Sequence, residues 1–334
     1  MAVTLKQVAL EAGVDMATVS RALNGSYGVK NETRLRVLAV AKKLKYVPNR
    51  IATGLATGRS HIMAIVVSDI RNPFFAEVTR GAEDEAYEAG YDLVLCNSDL
   101  NPVKQIHYFR ALLEKRVEGI IMNSVATLSR DFQEELSRCG VPIVLLNELP
   151  GVLGFSTVLP DNFEGGMLAG TYLSRLGHRV IGHLTGPSKH GNFGERTRGF
   201  LKACDAATRK VKTMVIHGHQ SSQGGYEMMK RLLAKHRDAT AIFAGNDAIA
   251  FGAIRAAVES GLSVPDDISI IGFDDVEFAG VVRPPLSTIH CPKYEMGKAA
   301  AEILLRHATR AKSWSPEHRI FGVKLIERES SRAV

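Results

Sequence analysis

Two histidines separated by one residue, His217 and His219, come closer than any other pair here to a metal-ligand spacing. On a strand they would point to the same face, where two imidazoles can share a metal ion. Ordinary surface histidines are the favoured interpretation, because no further ligand-spaced residue accompanies them. The cysteines lie far apart without CxxC spacing, which predicts free thiols rather than a zinc site or a disulfide framework: Cys96, Cys139, Cys204 and Cys291.

Motifs of catalysis and of membrane insertion are also missing. The sequence has no G-x-G-x-x-G, P-loop, nucleophile elbow or H-E-x-x-H motif, so we expect no enzyme. Its first residues lack an apolar signal-peptide core, and no run of about 18 apolar residues occurs. We therefore expect a cytoplasmic protein without membrane contact and exclude a secreted transporter subunit. Its 334 residues, 45% of them hydrophobic, predict two or three compact units.

The positive charge of the chain is concentrated at one end. Residues 1–60 hold ten Lys or Arg against three acids, whereas the remaining chain holds 32 of each. The whole excess of +7 therefore lies in a short segment. Such a segment favours a polyanion as partner, although a solvated basic face would give the same count.

The apolar spacing of this segment predicts three short helices. Thr4 and Gln7 form a capping box before the first helix, whose inward face is Leu5, Val8, Ala9 and Ala12. Asp15 caps a second helix from 16 to 23, which turns Val19, Ala22 and Leu23 inward. A third helix, at about 32–45, is expected to bury Leu35, Leu38, Ala41 and Leu44. Two helices joined by a tight turn and followed by a third have helix-turn-helix geometry.

The residues of this segment resemble a known family. The stretches TLKQVALEAGVDMATVSRALN and VKNETRLRVLAVAKKLKYVPNRIATGL are similar to the DNA-binding head of the lactose/galactose repressor (LacI/GalR) family. The resemblance implies that Met16, Ala17 and Arg21 face base edges in the major groove. Arg21 is the residue best suited to a paired bond with guanine. The implied phosphate contacts, which set register without reading sequence, are Thr18, Ser20, Asn24, Thr33, Arg34 and Tyr46.

Residues 48–60 have the composition of a linker. The resemblance implies a hinge helix that folds on operator DNA, with Leu55 wedged between central base pairs in the minor groove. Thr53 and Gly54 depart from the family pattern and weaken that helix by about 1 to 1.5 kcal/mol. A second departure is Lys30, in place of the usual serine cap of the third helix, so Asn31 is expected to cap it instead.

Beyond residue 60, apolar strands alternate with helices, which predicts parallel sheets. The predicted strands are 62–68, 92–97, 118–123, 142–147, 180–185, 213–217, 241–245 and 268–273. Several helices begin with cap-forming residues directly after a strand, at Asn72, Asp161 and Asn246 or Asp247. Open α/β sheets bind ligands at these carboxyl ends. Asp247 is interpreted as a helix cap rather than a ligand contact.

The resemblance continues through this core in segments such as DIRNPFFAEV, ERTRGF, GNDAIAFGAI and VPDDISIIGFDD. It implies the two-lobe α/β fold of periplasmic sugar-binding proteins, with two parallel-sheet subdomains. The implied organisation is a small all-α head at 1–47, the hinge at 48–60 and an effector-binding and dimerisation core at 61–334. The N-lobe takes about 61–160 and 291–320, and the C-lobe about 161–288 and 321–334.

Several side chains of this core are expected to meet in the cleft between the lobes. Aromatic faces suit a sugar ring or a base, and placed polar groups satisfy buried hydroxyls. The implied effector-binding set is Asp69, Asn72, Phe74, Phe75, Arg196, Gln220, Asn246 and Asp274. Phe75 fits plain core equally, and Gln220 stands where relatives often carry an aromatic. Arg196 is the strongest member, because a buried guanidinium without a partner is costly.

The predicted function is sequence-specific transcriptional regulation, as a repressor that binds a pseudo-palindromic operator as a homodimer. A sugar or nucleoside in the cleft is the expected effector, and no cofactor is expected. Two alternatives remain: control by a phosphocarrier protein, and a sugar-sensing module whose DNA binding is vestigial.

Overall fold

The protein is described here by a computed structural model covering residues 3–25, 27–47, 59–123, 129–146, 154–186, 191–309 and 315–334. The chain divides into two compact units, Met1–Ser60 and His61–Val334. The expected hinge helix and its wedge Leu55 lie outside the described residues. Within the described ranges, no helix combines the length and the apolar character needed to span a bilayer.

The described residues of the first unit form three helices, α1 (Leu5–Ala12), α2 (Met16–Leu23) and α3 (Asn31–Lys43). Thr4 and Gln7 form the predicted capping box, and Asp15 accepts the backbone N–H of Thr18 as the predicted cap of α2. The expectation that Asn31 caps α3 is wrong. Asn31 is already inside the helix, and the capping position is Lys30, whose side chain makes no capping hydrogen bond.

The core of this unit forms where the three helices meet. It is built from Val8, Ala9, Ala12, Val19, Ala22, Val37 and Ala41. The predicted inward face of α3 is partly wrong, because Leu35 is 62% and Leu38 43% exposed. The predicted Ala41 is buried, and Val37, four residues before it, takes the place of the two leucines. Both stripes of α3 are apolar, so periodicity alone did not separate them.

The second unit contains two six-stranded sheets. The first has the order β11-β5-β4-β3-β1-β2, and all its pairings are parallel. The second has the order β12-β10-β9-β8-β6-β7, where only β12 is antiparallel. The strands are β1 (Ile62–Val67), β2 (Asp92–Asn97), β3 (Gly119–Met122), β4 (Ile143–Leu145), β5 (Ser156–Pro160), β6 (Val180–Thr185), β7 (Lys212–His217), β8 (Ala241–Ala244), β9 (Ser269–Asp274), β10 (Ser287–His290), β11 (His318–Phe321) and β12 (Lys324–Ile326).

Helices cover these sheets, as parallel strands require. They are α4 (Pro73–Glu88), α5 (Pro102–Glu114), α6 (Arg130–Arg138), α7 (Asn162–Arg175), α8 (Gly191–Asp205), α9 (Ser222–Lys235), α10 (Asp247–Glu259) and α11 (Lys293–Thr309), with a 3-10 turn at Glu277–Gly280. Helix α11 packs on α4 and on strands of the first sheet, whereas α7 packs on α8 and on strands of the second. We call the first sheet with its helices the N-lobe and the second the C-lobe.

The chain passes between the lobes three times. It leaves β5 of the first sheet for α7, leaves β10 of the second for α11, and joins β11 of the first to β12 of the second. The eight predicted strands are present with ends shifted by up to two residues. Strands β5, β10, β11 and β12 were not predicted, because they are short and lie next to the crossings.

A buried histidine gives the C-lobe a pH-dependent stability. His183 on β6 is fully buried, donates from Nδ1 to the carbonyl of Phe243 (2.9 Å) and stacks on that ring at 4.6 Å. Burial lowers the pKa of His183 to about 4. As the pH falls below about 6.5, His183 of the unfolded chain binds a proton but His183 of the folded chain does not. The folded state therefore loses stability as the pH falls from about 6.5 to about 4.

We therefore expect the free energy of unfolding to fall by about 2 kcal/mol more between pH 7 and pH 5 in the wild type than in His183→Gln. Urea denaturation at the two pH values measures the difference. Replacement of the exposed His107 by glutamine is the matched control. An equal pH response in wild type and His183→Gln contradicts the assignment.

Candidate DNA-binding and ligand-binding sites

Helix α2 presents three side chains to solvent on its outer face. Met16 is 51% exposed, and Ala17 and Arg21 are exposed as well. Arg21 makes one hydrogen bond through Nε, to the carbonyl of Ala17 at 3.3 Å, and this leaves its terminal nitrogens for a partner. An exposed arginine beside two apolar side chains can pair with guanine while the others contact thymine methyl groups.

The predicted phosphate-contacting residues are accessible to different degrees. Asn24 is exposed, whereas Ser20, Thr33, Arg34 and Tyr46 are half-buried. Thr18 is already engaged, because its hydroxyl donates to Asp15 at 2.7 Å. The hydrogen bonds from Thr18 lower the pKa of the Asp15 carboxyl, which therefore stays ionised as the cap of α2. For the Thr18 hydroxyl to donate to a phosphate, its hydrogen bond to Asp15 must break.

In the N-lobe, the predicted ligand-binding residues follow β1. The Asp69 carboxylate accepts two bonds from the guanidinium of Arg71, each 2.9 Å long. Asn72 caps α4 by accepting the backbone N–H of Phe74 at 3.0 Å. Phe74 and Phe75 are buried and meet edge to face at 5.2 Å. These polar side chains thus have local partners, and both rings belong to the core.

In the C-lobe, Arg196 lies at the centre of a buried polar cluster. Its Nε donates to the Asn162 side chain at 2.8 Å, and its Nη1 donates to the carbonyl of Gly245 at 2.5 Å. The guanidinium lies 3.5 Å from the ring centroid of Phe273. Its Nη2 is 3.5 Å from Oδ1 of Asp274, which is too long for a strong hydrogen bond. Nη2 can therefore donate a hydrogen bond to a ligand hydroxyl that lies beside the ion pair.

Asp274 is held in an unusual backbone conformation. Its φ is 115°, and the φ of Asp275 is 55°, both in the left-handed region. The buried ammonium of Lys293 donates to both of their carbonyl oxygens at 2.8 Å. Burial raises the pKa of the Asp274 carboxyl, and the charges of Arg196 and Lys293 oppose that shift.

The helix cap after β8 is not the residue that was expected. Asn246, which was expected to face a ligand, caps α10 by accepting the N–H of Ile249 at 2.8 Å. The interpretation of Asp247 as the cap is therefore wrong. Its carboxylate accepts from the Thr288 hydroxyl at 2.6 Å and from the Val276 N–H at 2.9 Å. Burial, followed by the charge of Asp274, raises the pKa of Asp247.

The structure thus brings Arg196 and Asp274 together, with Asn246 directly after the carbonyl that Arg196 binds. Asp69 and Asn72 lie in a separate loop, and Gln220 is half-buried after β7. His219 lies beyond the end of β7, so the two histidines do not share a strand. Among the described residues, no group of His, Cys, Asp or Glu has metal-binding geometry.

Sequence reasoning missed the roles of four polar residues near these sites. Asn162 bonds to Arg196 and to Asn192, and in the N-lobe Asn123 donates to the Ser68 hydroxyl at 3.1 Å. Ser68 and Asn123 directly follow β1 and β3. Their position after a strand was the available signal, since carboxyl ends of parallel strands collect ligand groups.

Close packing of α7 on α8 fixes the position of Arg196. A Cβ added at Gly166 would lie 2.1 Å from the carbonyl oxygen of Arg196, which is backbone and cannot rotate away. We expect Gly166→Ala to lower the free energy of unfolding by about 1 to 3 kcal/mol, measured by urea denaturation. Gly322→Ala, which meets nothing within 4 Å, is the control and is expected to leave stability unchanged or slightly higher. Equal effects of the two variants would contradict this packing.

The fold and these sites define a class of protein: a basic helix-turn-helix unit joined to a two-lobe core of the periplasmic-binding type. Residues 4–49 match the model of the bacterial regulatory proteins of the lacI family, and residues 171–331 match a periplasmic binding protein-like domain. The chain is 37% identical over 334 residues to the HTH-type transcriptional repressor PurR of Edwardsiella ictaluri (strain 93-146), covering 98% of this chain and 96% of the relative.

Solved structures agree with this assignment. A lac repressor dimer bound to operator and the anti-inducer ONPF is 27% identical with a TM-score of 0.87, and covers 100% of each chain. The transcriptional regulator CelR in complex with cellobiose is 31% identical with a TM-score of 0.74, covering 98% of this chain and 99% of that one. The chain belongs to the LacI family. These relatives are transcriptional repressors and regulators, in agreement with the expectation that the chain is not an enzyme.

Proposed function

We propose that this protein is a repressor that reads a pseudo-palindromic operator through its head and changes its DNA affinity when a small metabolite binds between the lobes. The observation that carries the proposal is the exposed face of α2, which presents Arg21 on the only unit of the chain with excess positive charge. A cytoplasmic location is part of the proposal, since the operator is there.

In the head, Met16, Ala17 and Arg21 read bases in the major groove. The six half-buried or exposed residues predicted to bind phosphate set the register. Leu55 completes the interface as a minor-groove wedge. Residues 1–47 thus act as the reading domain, 48–60 as the hinge and 61–334 as the sensor.

In the core, the effector is a sugar or a nucleoside. Arg196 and Asp274 offer donors and acceptors to vicinal hydroxyls at the carboxyl ends of the second sheet. Asp69 and Asn72 face the ligand from the N-lobe, with Gln220 and Asn246 at its edge. The buried rings of Phe74 and Phe75 belong to the core beneath this loop. Binding of ribose or cellobiose by relatives of this fold supports a sugar. A phosphocarrier protein as co-effector remains the alternative.

The operator is bound by a homodimer. Strand β2 lies at one edge of the first sheet. Its apolar residues Val94 and Leu95, which point to opposite faces, are 38% and 40% exposed. The C-lobe exposes Val258, Phe278 and Val281. An uncovered apolar edge strand favours association, and two-fold symmetry matches a palindromic site.

We expect Leu95→Lys to shift the protein from dimer to monomer at micromolar concentration, because a buried charge opposes association at the β2 edge. Sedimentation velocity measures the shift. Ile320→Lys is the matched control, since Ile320 is exposed on β11 at the opposite edge of the same sheet. A Leu95→Lys protein that remains dimeric would place the interface elsewhere.

A thermal-shift screen of the full chain against sugars, sugar phosphates, polyols, nucleosides and purines tests the sensor role. A ligand that binds only the folded state raises the melting temperature, by an amount that grows with its concentration. A saturable shift identifies the effector class, and an operator titration then shows whether the ligand releases or strengthens DNA binding. Stabilisation by operator DNA without any metabolite shift would favour the phosphocarrier alternative.

A further inference from the structure

Besides the bonds of Lys293 to Asp274 and Asp275, a hydrogen bond joins the two lobes close to Arg196. Asn192, in the first turn of α8, donates from Nδ2 to the carbonyl oxygen of Leu146 at 3.3 Å. Leu146 directly follows β4 of the first sheet, whereas α8 belongs to the C-lobe. This bond must break if the lobes separate at this point.

The same asparagine is connected to the guanidinium. Its Oδ1 accepts from Nδ2 of Asn162 at 2.9 Å, and Oδ1 of Asn162 accepts from Nε of Arg196 at 2.8 Å. Asn162 is 4% exposed and begins α7 directly after the chain has crossed from β5. Three hydrogen bonds in series therefore lead from Arg196, through the crossing segment, to the backbone of the N-lobe.

The chemistry of its two ends fixes the direction of this series. A guanidinium can only donate, so Asn162 must turn its oxygen toward Arg196 and its amide nitrogen toward Asn192. A carbonyl can only accept, so Asn192 must turn its own nitrogen toward Leu146. Both amides thus have a single orientation that satisfies every bond, and a rotation at one end leaves a buried polar group without a partner at the other.

We propose that Asn162 and Asn192 are positioning residues that make the placement of the N-lobe depend on the orientation of Arg196. This inference rests on the proposed function, in which a ligand accepts a hydrogen bond from Nη2 of that guanidinium. A ligand that draws Nη2 toward itself turns the plane of Arg196, reorients Asn162 and Asn192, and changes the bond to Leu146. The series thereby converts occupancy of one side chain into a change of lobe separation.

Asn192→Asp tests the series with almost no change of shape. A carboxylate still accepts from Asn162 but cannot donate to Leu146, so only the interlobe bond is lost. We expect the equilibrium between closed and open lobes to shift toward open by about 3- to 10-fold, the range of one hydrogen bond. Single-molecule energy transfer between dyes placed on α5 and α9 of the full chain, without any ligand, measures this ratio.

Asn101→Asp is the control, because it adds the same charge to an exposed helix cap that a carboxylate serves equally well. Both variants should melt within a few degrees of the wild type. The proposal is overturned if the open fraction of Asn192→Asp equals that of Asn101→Asp. It is also overturned if the two variants lose the same amount of melting temperature and the lobe distance of Asn192→Asp does not change.

A second readout separates this inference from the proposed function. On an operator selected from genomic DNA, Asn192→Asp should change the dissociation constant about 3- to 10-fold relative to Asn101→Asp. If the wild type selects no operator, the proposed function is wrong, and the lobe-distance measurement still tests the three hydrogen bonds in series. If the operator is bound but neither the lobe distance nor the dissociation constant changes, this inference is wrong and the proposed function stands.

Discussion

Arg21→Ala is expected to abolish most of the operator discrimination of this protein while leaving its affinity for unrelated DNA nearly unchanged. A paired arginine–guanine contact contributes about 1 to 3 kcal/mol of discrimination, and a dimer makes it twice. The specific affinity should therefore fall by about 30-fold or more. Because the terminal nitrogens of Arg21 are exposed, we expect its replacement to reduce operator discrimination more than that of any other side chain of α2.

Fluorescence anisotropy with operator and scrambled duplexes across a salt series measures both quantities. Lys42→Ala is the control, because it removes an exposed cation of α3 and should weaken binding to both duplexes alike. Discrimination that survives in Arg21→Ala would assign base reading to other residues, whereas a wild type that binds both duplexes equally would support the alternative of a sugar-sensing module with vestigial DNA binding. A flat salt response in the wild type would contradict phosphate binding by the head.

Arg196→Met is expected to weaken metabolite binding by at least about 100-fold. The variant removes the donor that faces the ligand and leaves the carboxylate of Asp274, 3% exposed, with Lys293 as its remaining counter-charge. Losing one partner of a buried ion pair typically costs about 3 to 5 kcal/mol of stability, so folding has to be controlled separately.

The double variant Arg196→Met with Asp274→Asn provides that control, since it removes both charges together. It should recover much of the lost stability but not ligand binding. Arg198→Met, two residues further along α8 and exposed, should behave like the wild type in both respects. Isothermal titration of the four proteins with the metabolite found by the thermal-shift screen decides the matter. Tight binding by Arg196→Met would remove Arg196 from the ligand site.

The order of helices and strands could be predicted from the sequence where a single apolar pattern was present. Strands β2 and β6 have the predicted bounds, because each is a clear apolar run between polar turns. For helix α3, the apolar pattern alone does not identify the buried face. The helix has two apolar stripes, and only packing against α1 and α2 selects Val37 over Leu35 and Leu38 as the buried residue. The crossing strands are too short to carry a pattern of their own.

The site was predictable by residue type rather than by contact. Arg196 and Asp274 were identified from their chemistry and from the family resemblance, and they do lie together. Asn162 was noticed only as the start of a helix, because its side-chain partners Asn192 and Arg196 are 30 and 34 residues away along the chain. Asn246 and Asp247 both favour the cap position, and the backbone geometry after β8 decides between them.

Regulation by this protein requires coupling between ligand binding in the core and DNA binding by the head. The most direct test of this coupling is the dissociation constant of the full chain for its selected operator, with and without a saturating concentration of the stabilising metabolite. Coupling of about 1 to 3 kcal/mol predicts a change of at least 5-fold, in either direction. An unchanged dissociation constant at saturation would contradict the account, because a ligand with equal affinity for both states regulates nothing.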